Sequence, residues 1–385
     1  MTVSSSSAIP IMLKAPPASK NRILAVDVLR GIAIALMALE HAGEYLNTTL
    51  IAETHLGNPS SAHSWRGFVA GLLTNLAAPT FWLLAGSSVA LFAAARLRAG
   101  ESERAITQFL LIRAGMIALL DLTICNWIWP DQLGNVHVLL SLAVALACLS
   151  IVRRLPRRWL IGLTIVLIVG YQVLLLFTPH PLPEPHNWLE ILFVMPWGSI
   201  WPSIEFPVLS WGALTLFGFL IGQRLSSPSL QQSRTWLAIG GGLLVIWLVL
   251  RLIGGFGDYL PYVSDQGWIY FFAMSKAPLS LTYLTFNLGW SMLLMAGLFH
   301  FADQLGTLSI TRWLAAIGQA SLFVYIAHLG VYLLLGKVYD LIKFQLPGLA
   351  ITGISWLIGL VILVRLAYMY RSYKRSHPKS VLKYI

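Results

Sequence analysis

The stretch LAVDVLRGIAIALMALEHAGEYL, residues 24–46, decides the fold. It is apolar for more than the roughly twenty residues that carry a helix across a bilayer, yet it holds Asp27, Arg30, Glu40, His41 and Glu44. Asp27, Arg30, Ile34, Met37, His41 and Glu44 follow one another at intervals of three or four, so a helix lines them up as one stripe. A charged stripe is costly against lipid and turns toward other helices or a wet cavity. The same charges exclude the uncharged core of a cleaved signal peptide. The segment therefore reads as the first helix of a bundle that supplies its partners.

Further apolar runs of similar length lie near 68–95, 106–128, 136–152, 159–177, 205–223, 236–254, 279–301, 313–336 and 348–370, separated by loop signals. With 23–46 they predict an all-α, polytopic integral membrane bundle of about ten transmembrane helices. A barrel would alternate polar and apolar residues instead. Only 11% of the 385 residues are charged, against about 25% in soluble domains. The net charge of +11 follows topology and gives no support for nucleic-acid binding. With both termini in the cytoplasm, Arg22, Arg96, Arg98, Arg104, Arg153, Arg154, Arg157, Arg158, Arg224, Arg234 and Arg312 fall on the inner side, with a basic tail from Arg371 to Lys383. The outer side receives only Arg66, Lys276, Lys337 and Lys343, which selects this orientation by the positive-inside rule. Residues 1–21 read as a disordered cytoplasmic tail, 22–371 as one membrane domain and 372–385 as a basic cytoplasmic tail.

Three long outer loops, near 47–66, 178–204 and 255–278, are rich in Trp, His, Pro and acidic residues. They are candidate substrate walls, although Trp188, Trp197, Trp201 and Trp268 also suit interfacial anchoring. Cys125 and Cys148 both fall in apolar runs and read as small buried hydrophobes. No HExxH, paired CxxC or phosphate-binding Gly-rich loop is present, so metal and nucleotide hydrolysis lose support and no metal is expected.

Proton-transfer chemistry remains. His41 and His63 both lie on the outer side, and a neighbouring carboxylate, Glu40 by adjacency, would orient an imidazole base. At the inner end, Asp27 and Arg30 form either a salt bridge that docks helix one or part of an anion site, to which Arg113 would contribute because guanidinium grips phosphate. Asp121 needs a partner: an Arg113 clamp or a wet cavity. Asn75, Ser87 and Asn126 are candidate polar lining or oxyanion donors, Pro79 a candidate kink, and His328 a core histidine or a lining residue. His55 suits a solvated loop, and His137 is ambiguous.

The order of several short blocks resembles the bacterial membrane acyltransferases related to heparan-alpha-glucosaminide N-acetyltransferase. Asp27-Val28-Leu29-Arg30-Gly31 running to Glu40-His41 is similar to that family's first-helix signature, with Glu40 where the family usually has Asp. Ala78-Pro79-Thr80-Phe81 with Ala85-Gly86-Ser87 resembles its second. Asp121–Trp129, Phe206-Pro207 through Trp211-Gly212, Gly257-Asp258, Lys276-Ala277-Pro278-Leu279-Ser280 and Tyr325-Ile326-Ala327-His328 follow in the same order, over roughly 22–335. The resemblance implies acetyl transfer from cytoplasmic acetyl-CoA to an amino or hydroxyl group of a sugar or glycan across a bacterial inner membrane. His63-Ser64-Trp65-Arg66-Gly67 resembles the setting of the family's catalytic histidine, one residue shorter, and His41 stands where relatives carry a paired Asn. It implies a centre at His41, His63 and Glu40, a donor site at Asp27, Arg30, Arg113 and Ser87, and polar lining from Asn75, Asp121, Asn126, Asp258, Lys276 and His328.

Direct transfer and a route through an acyl-histidine both fit. The same intramembrane charges also suit a transporter or flippase for a glycan or small anion, which would move substrate without thioester turnover, or a non-catalytic scaffold. A homodimer is left open.

Overall fold

The computed structural model describes residues 23–46, 48, 50–55, 64–128, 137–179, 182–197, 204–263, 267–342 and 348–385. Each of the ten apolar runs is helical. Helix α1 spans Leu24–Tyr45. The second run forms α2 (Trp65–Thr74) and α3 (Ala77–Arg98). Pro79 interrupts the run as expected: it offers no N–H to the Asn75 carbonyl one turn earlier, the helix breaks at Asn75–Leu76, and the freed carbonyl accepts from the Tyr283 hydroxyl at 3.2 Å. Ser64 begins α2 by accepting a hydrogen bond from the Gly67 amide, 3.0 Å.

The third run is α4 (Glu103–Leu120), a π-helical turn over Asp121–Cys125, and the short α5 (Asn126–Ile128). There follow α6 (Val138–Val152), α7 (Arg157–Leu176), the surface turn α8 (Trp188–Phe193), α9 (Val208–Gly222), α10 (Ser233–Ile253) and α11 (Leu281–His300). After the short α12 (Ala302–Leu305) come α13 (Ser309–Gln319), α14 (Ser321–Ile342) and α15 (Gly348–Ser376). The expected single helix over 313–336 is thus two elements, broken at Ala320 (φ −111°, ψ 29°). The amphipathic α13 lies on α1, and α14 alone is long enough to cross a bilayer.

Seven helical segments among the described residues are long and apolar enough to cross a membrane: Trp65–Arg98, Glu103–Ile128, Arg157–Leu176, Ser233–Ile253, Leu281–His300, Ser321–Ile342 and Gly348–Ser376. Val138–Val152 and Val208–Gly222 are apolar but shorter. This is a multi-pass helical membrane protein. Apolar side chains face outward on α7, α10 and α15, as lipid permits, while polar ones are drawn inward.

Helix α1 is the hub, packed by α3, α11, α13, α14 and α15. Without water to drive helices together in lipid, close backbone approach through small residues does the work. Gly31 of α1 lies on the Leu314 backbone, and Gly318 of α13 lies on the Asp27 carbonyl, so a Cβ at either would collide with main chain. The α3–α9 contact uses Gly86 and Gly218 in the same way. The segments before α2 and before α11 meet where β1 (Thr54–His55) pairs in parallel with β2 (Ser275–Ala277). The expected tail at 372–385 packs in part on the bundle, with the Tyr384 ring 4.8 Å from that of Phe109 on α4. Residues 1–21 lie outside the described residues.

Candidate functional site

One face of α1 carries two polar clusters, separated by a buried apolar layer that contains Ile34. From Asp27 to His41 the helix advances fourteen residues, about 21 Å at 1.5 Å per residue.

The cluster at the N-terminal end of α1 is built on Arg30. Its guanidinium donates to Ser88 Oγ at 2.7 Å and to the Gly318 carbonyl at 3.2 Å, and it meets Asp27 at 3.4 Å. Asp27 also accepts from Gln319 Nε2 at 2.8 Å. The Asp27–Arg30 pair therefore does dock α1 onto α13, but it also brings a guanidinium to a junction of three helices. Arg113 of α4 is close enough for its charge to act on that of Arg30. Two cations thus approach each other, a donor set that fits a polyphosphate. Ser87 is not part of it. Its hydroxyl donates to the Leu83 and Gly218 carbonyls, 3.1 and 2.8 Å, on the α9 side. Successive residues on a helix point about 100° apart, and it is Ser88 that faces Arg30.

The cluster at the C-terminal end of α1 is built on His41. Its Nδ1 lies 2.8 Å from Glu44 Oε2. Sequence adjacency favours Glu40 as the orienting acid; the structure gives that contact to Glu44, one turn along the same face. Glu40 points elsewhere and binds Lys276 Nζ at 3.2 Å. Lys276 also meets Glu53 at 3.3 Å, joining strand β2 and the residue before β1 to α1. Burial alone would lower the Lys276 pKa, but the two carboxylates outweigh it and hold the ammonium well above its ordinary range.

The His41 ring lies 5.2 Å from that of His328, which is fully buried on α14. Among the described residues neither His328 ring nitrogen makes a well-formed hydrogen bond, although the Val324 and Tyr325 backbone of its own helix lies near the ring. His137 joins the group, near enough for its charge to interact with His41 and Glu44.

Asp121 has neither an Arg113 clamp nor a solvated role. It is fully buried, and its Oδ2 accepts from the His137 amide at 3.1 Å, with the Leu139 and Leu140 amides also directed at it. A carboxylate at a helix N-terminus satisfies orphan amides and complements the dipole. Asp121 therefore anchors α6 and, through it, His137. Asn126 donates weakly to the Asp121 carbonyl, 3.5 Å, within the π-helical turn, a distortion common near functional sites. Asn75 accepts from the buried Tyr283 hydroxyl through its carbonyl and Oδ1, 3.2 and 3.3 Å.

Asp258 lies apart, in a clamp. Arg251 Nη1 donates to both its oxygens at 2.8 and 2.7 Å, while the other guanidinium donors reach the Phe271, Tyr270 and Ala273 carbonyls. Thr282 completes it at 3.0 Å. It ties Asp258, Leu260 and residues 270–273 to the end of α10. His63 and Trp201 lie outside the described residues. Among the described residues, no three His, Cys, Asp or Glu side chains form a group that could hold a metal ion.

Sequence reasoning did not single out Gln319, Glu53, Tyr283 or Arg251, whereas Ser88 is a polar-lining candidate of the second helix together with Gly86 and Ser87. Arg251 at the end of an apolar run offered a signal, since a buried arginine demands a partner. Gln319 and Glu53 offered none, because their partners are far away in sequence.

Fold and site together define a multi-pass membrane protein whose first helix carries a basic junction at one end and a histidine–carboxylate cluster at the other. The family model for the heparan-alpha-glucosaminide N-acetyltransferase catalytic region matches residues 22–255, more than half of the chain, and the protein belongs to this family of membrane acetyltransferases. The matched region contains both ends of α1, whereas Asp258, Lys276 and His328 lie beyond it. No curated protein matches the chain.

Proposed function

We propose that the protein moves an acyl group, acetyl in the first instance, from a coenzyme A thioester bound at the basic end of α1 to an amino or hydroxyl group of a sugar or glycan at the histidine end. The observation that carries this is that one helix face presents Arg30 and His41 to the interior of the same bundle, about 16 Å apart along the axis at 1.5 Å per residue. Arg30 and Arg113 grip the donor phosphates. Support for this assignment comes from their approach to each other.

Glu44 accepts the Nδ1 proton of His41, which leaves Nε2 as the basic nitrogen. His41 Nε2 takes the acceptor's proton as its heteroatom attacks the acyl carbon, and returns that proton to the departing thiolate as the C–S bond breaks. His63 is the second candidate base, and His328 and His137 line the same cluster. The buried layer at Ile34 has to part for the thioester to reach His41, so donor binding opens a path beside α1. The topology that fits this chemistry has about ten spans, both termini in the cytoplasm and the histidine end outside, in a bacterial cytoplasmic membrane.

The test is purified protein with labelled acetyl-CoA and a pool of amino sugars and cell-envelope glycans. Label is expected in the acceptor fraction and is expected to fall at least a hundredfold in His41→Ala, the ordinary worth of a general base. Label transfer unchanged in both His41→Ala and His63→Ala removes the site. Acceptor movement across proteoliposomes without thioester cleavage would establish transport instead.

A further inference from the structure

A groove between α7 and α9, away from the α1 site, has a cavity volume of about 490 Å³. Ile161, Ile165 and Val169 of α7 face Phe217 and Ile221 of α9 across it. The one hydroxyl in its middle, Thr164, donates to the Leu160 carbonyl at 2.8 Å, so the channel offers no unmet polar group there. Its end is different. Arg157, at the start of α7, and Arg224, just past the end of α9, stand at the same mouth, and each feels the other's positive charge. Arg157 spends Nη1 on the Leu220 carbonyl at 3.1 Å and on Gln223 at 2.6 Å. Among the described residues no carboxylate pairs with either arginine, and the hydroxyl of Ser229 lies beside them.

From these features we infer that the groove is a binding site for an anionic phospholipid, its phosphate held by Arg157 and Arg224 and one acyl chain laid between α7 and α9. Three observations select this occupant. From Arg157 to Val169 the groove follows α7 for twelve residues, about 18 Å at 1.5 Å per residue, close to the roughly 15 Å depth of one hydrocarbon leaflet. The apolar wall includes Ile161, Ile165 and Val169 at 40%, 56% and 44% exposure, a surface suited to acyl chain and poorly suited to a soluble polar molecule. Two uncompensated guanidiniums at the headgroup level require an anion, and the phosphate of a lipid already anchored there is the nearest one. A zwitterionic lipid would bring its own cation against the pair.

The test uses the full-length protein purified in neutral detergent. Phosphatidylglycerol or phosphatidylcholine with matching chains is titrated in, and retained lipid is counted by native mass spectrometry. Phosphatidylglycerol should be preferred about thirtyfold, from two arginines contributing by charge. Arg157→Gln with Arg224→Gln should abolish the preference, whereas Arg234→Gln, on the same side but outside the groove, should keep it. Ile165→Trp keeps both arginines and fills the channel, so it should also abolish retention if a chain lies there. Equal retention of the two lipids, or a preference that survives the double variant or Ile165→Trp, overturns the site. Displacement by millimolar inorganic phosphate would mean that a free anion is bound, and lipid loss confined to a dimeric form would mean that a second copy covers the groove; either result also overturns it.

Discussion

Replacing Glu44 by Gln isolates the contact on which the proposed base depends. The His41–Glu44 hydrogen bond is 2.8 Å long, short enough for a charge-assisted pair, but the Glu44 side chain is 45% exposed while that of His41 is 18% exposed. A charged hydrogen bond contributes about 1.5–3 kcal/mol when shielded, and solvent at Glu44 lowers that to about 1–2 kcal/mol. Glutamine preserves the shape and can still accept from Nδ1, so what disappears is the negative charge that favours the imidazolium formed as His41 takes a proton. At 1.36 kcal/mol per decade, turnover should fall about 5- to 30-fold. The acyl-donor KM should stay within about twofold, since that donor is gripped about 21 Å away at 1.5 Å per residue. Glu40→Gln is the internal comparison, because it keeps the His41 contact and loosens Lys276. The assay is initial-rate acetyl transfer with donor and acceptor varied separately. The reasoning is refuted if Glu40→Gln lowers kcat more than Glu44→Gln, or if Glu44→Gln acts on donor KM alone.

Other outcomes follow from the geometry around α1. Arg30→Gln should raise the donor KM about tenfold or more, the loss of one charged phosphate contact, and should loosen α13 by freeing the Gly318 carbonyl; steady-state kinetics beside a detergent melting curve separates the two effects. Gly318→Ala puts a methyl group onto the Asp27 main chain, and the overpacking should cost about 1–3 kcal/mol, read as a lower melting temperature. Lys276→Met leaves Glu40 and Glu53 without their shared cation and should lower thermal stability. The folded pKa of Lys276 lies above its ordinary 10.5, so its contribution is fully present below that value and is lost only as pH rises through the folded pKa. The gap between Lys276→Met and the native protein should therefore change little across pH 7–9 through this residue, as melting curves at each pH would show.

The membrane class and the positions of the helices were legible in the sequence because lipid imposes a simple demand: about twenty apolar residues with every backbone group bonded within the segment. The inward direction of the α1 stripe was legible for the same reason, since charged side chains are costly against acyl chains. Where the demand is weaker, the sequence misleads. The run 313–336 is continuously apolar enough to look like one span, yet Gly318 and the residues around it turn the first part into α13, packed on α1.

What only the tertiary structure decided is the partner of each polar group. Glu40 and Glu44, or Ser87 and Ser88, are nearly interchangeable on paper, but about 100° of rotation per residue sends each neighbour to a different helix. Asp121 is satisfied by the start of α6, Arg30 by a carbonyl 288 residues away, and Lys276 by Glu53 from another loop. Sequence by itself determined that these groups had to face inward and find partners, because the bilayer leaves them no alternative. Which partners they found depends on how helices distant along the chain pack together, and local periodicity holds no record of that.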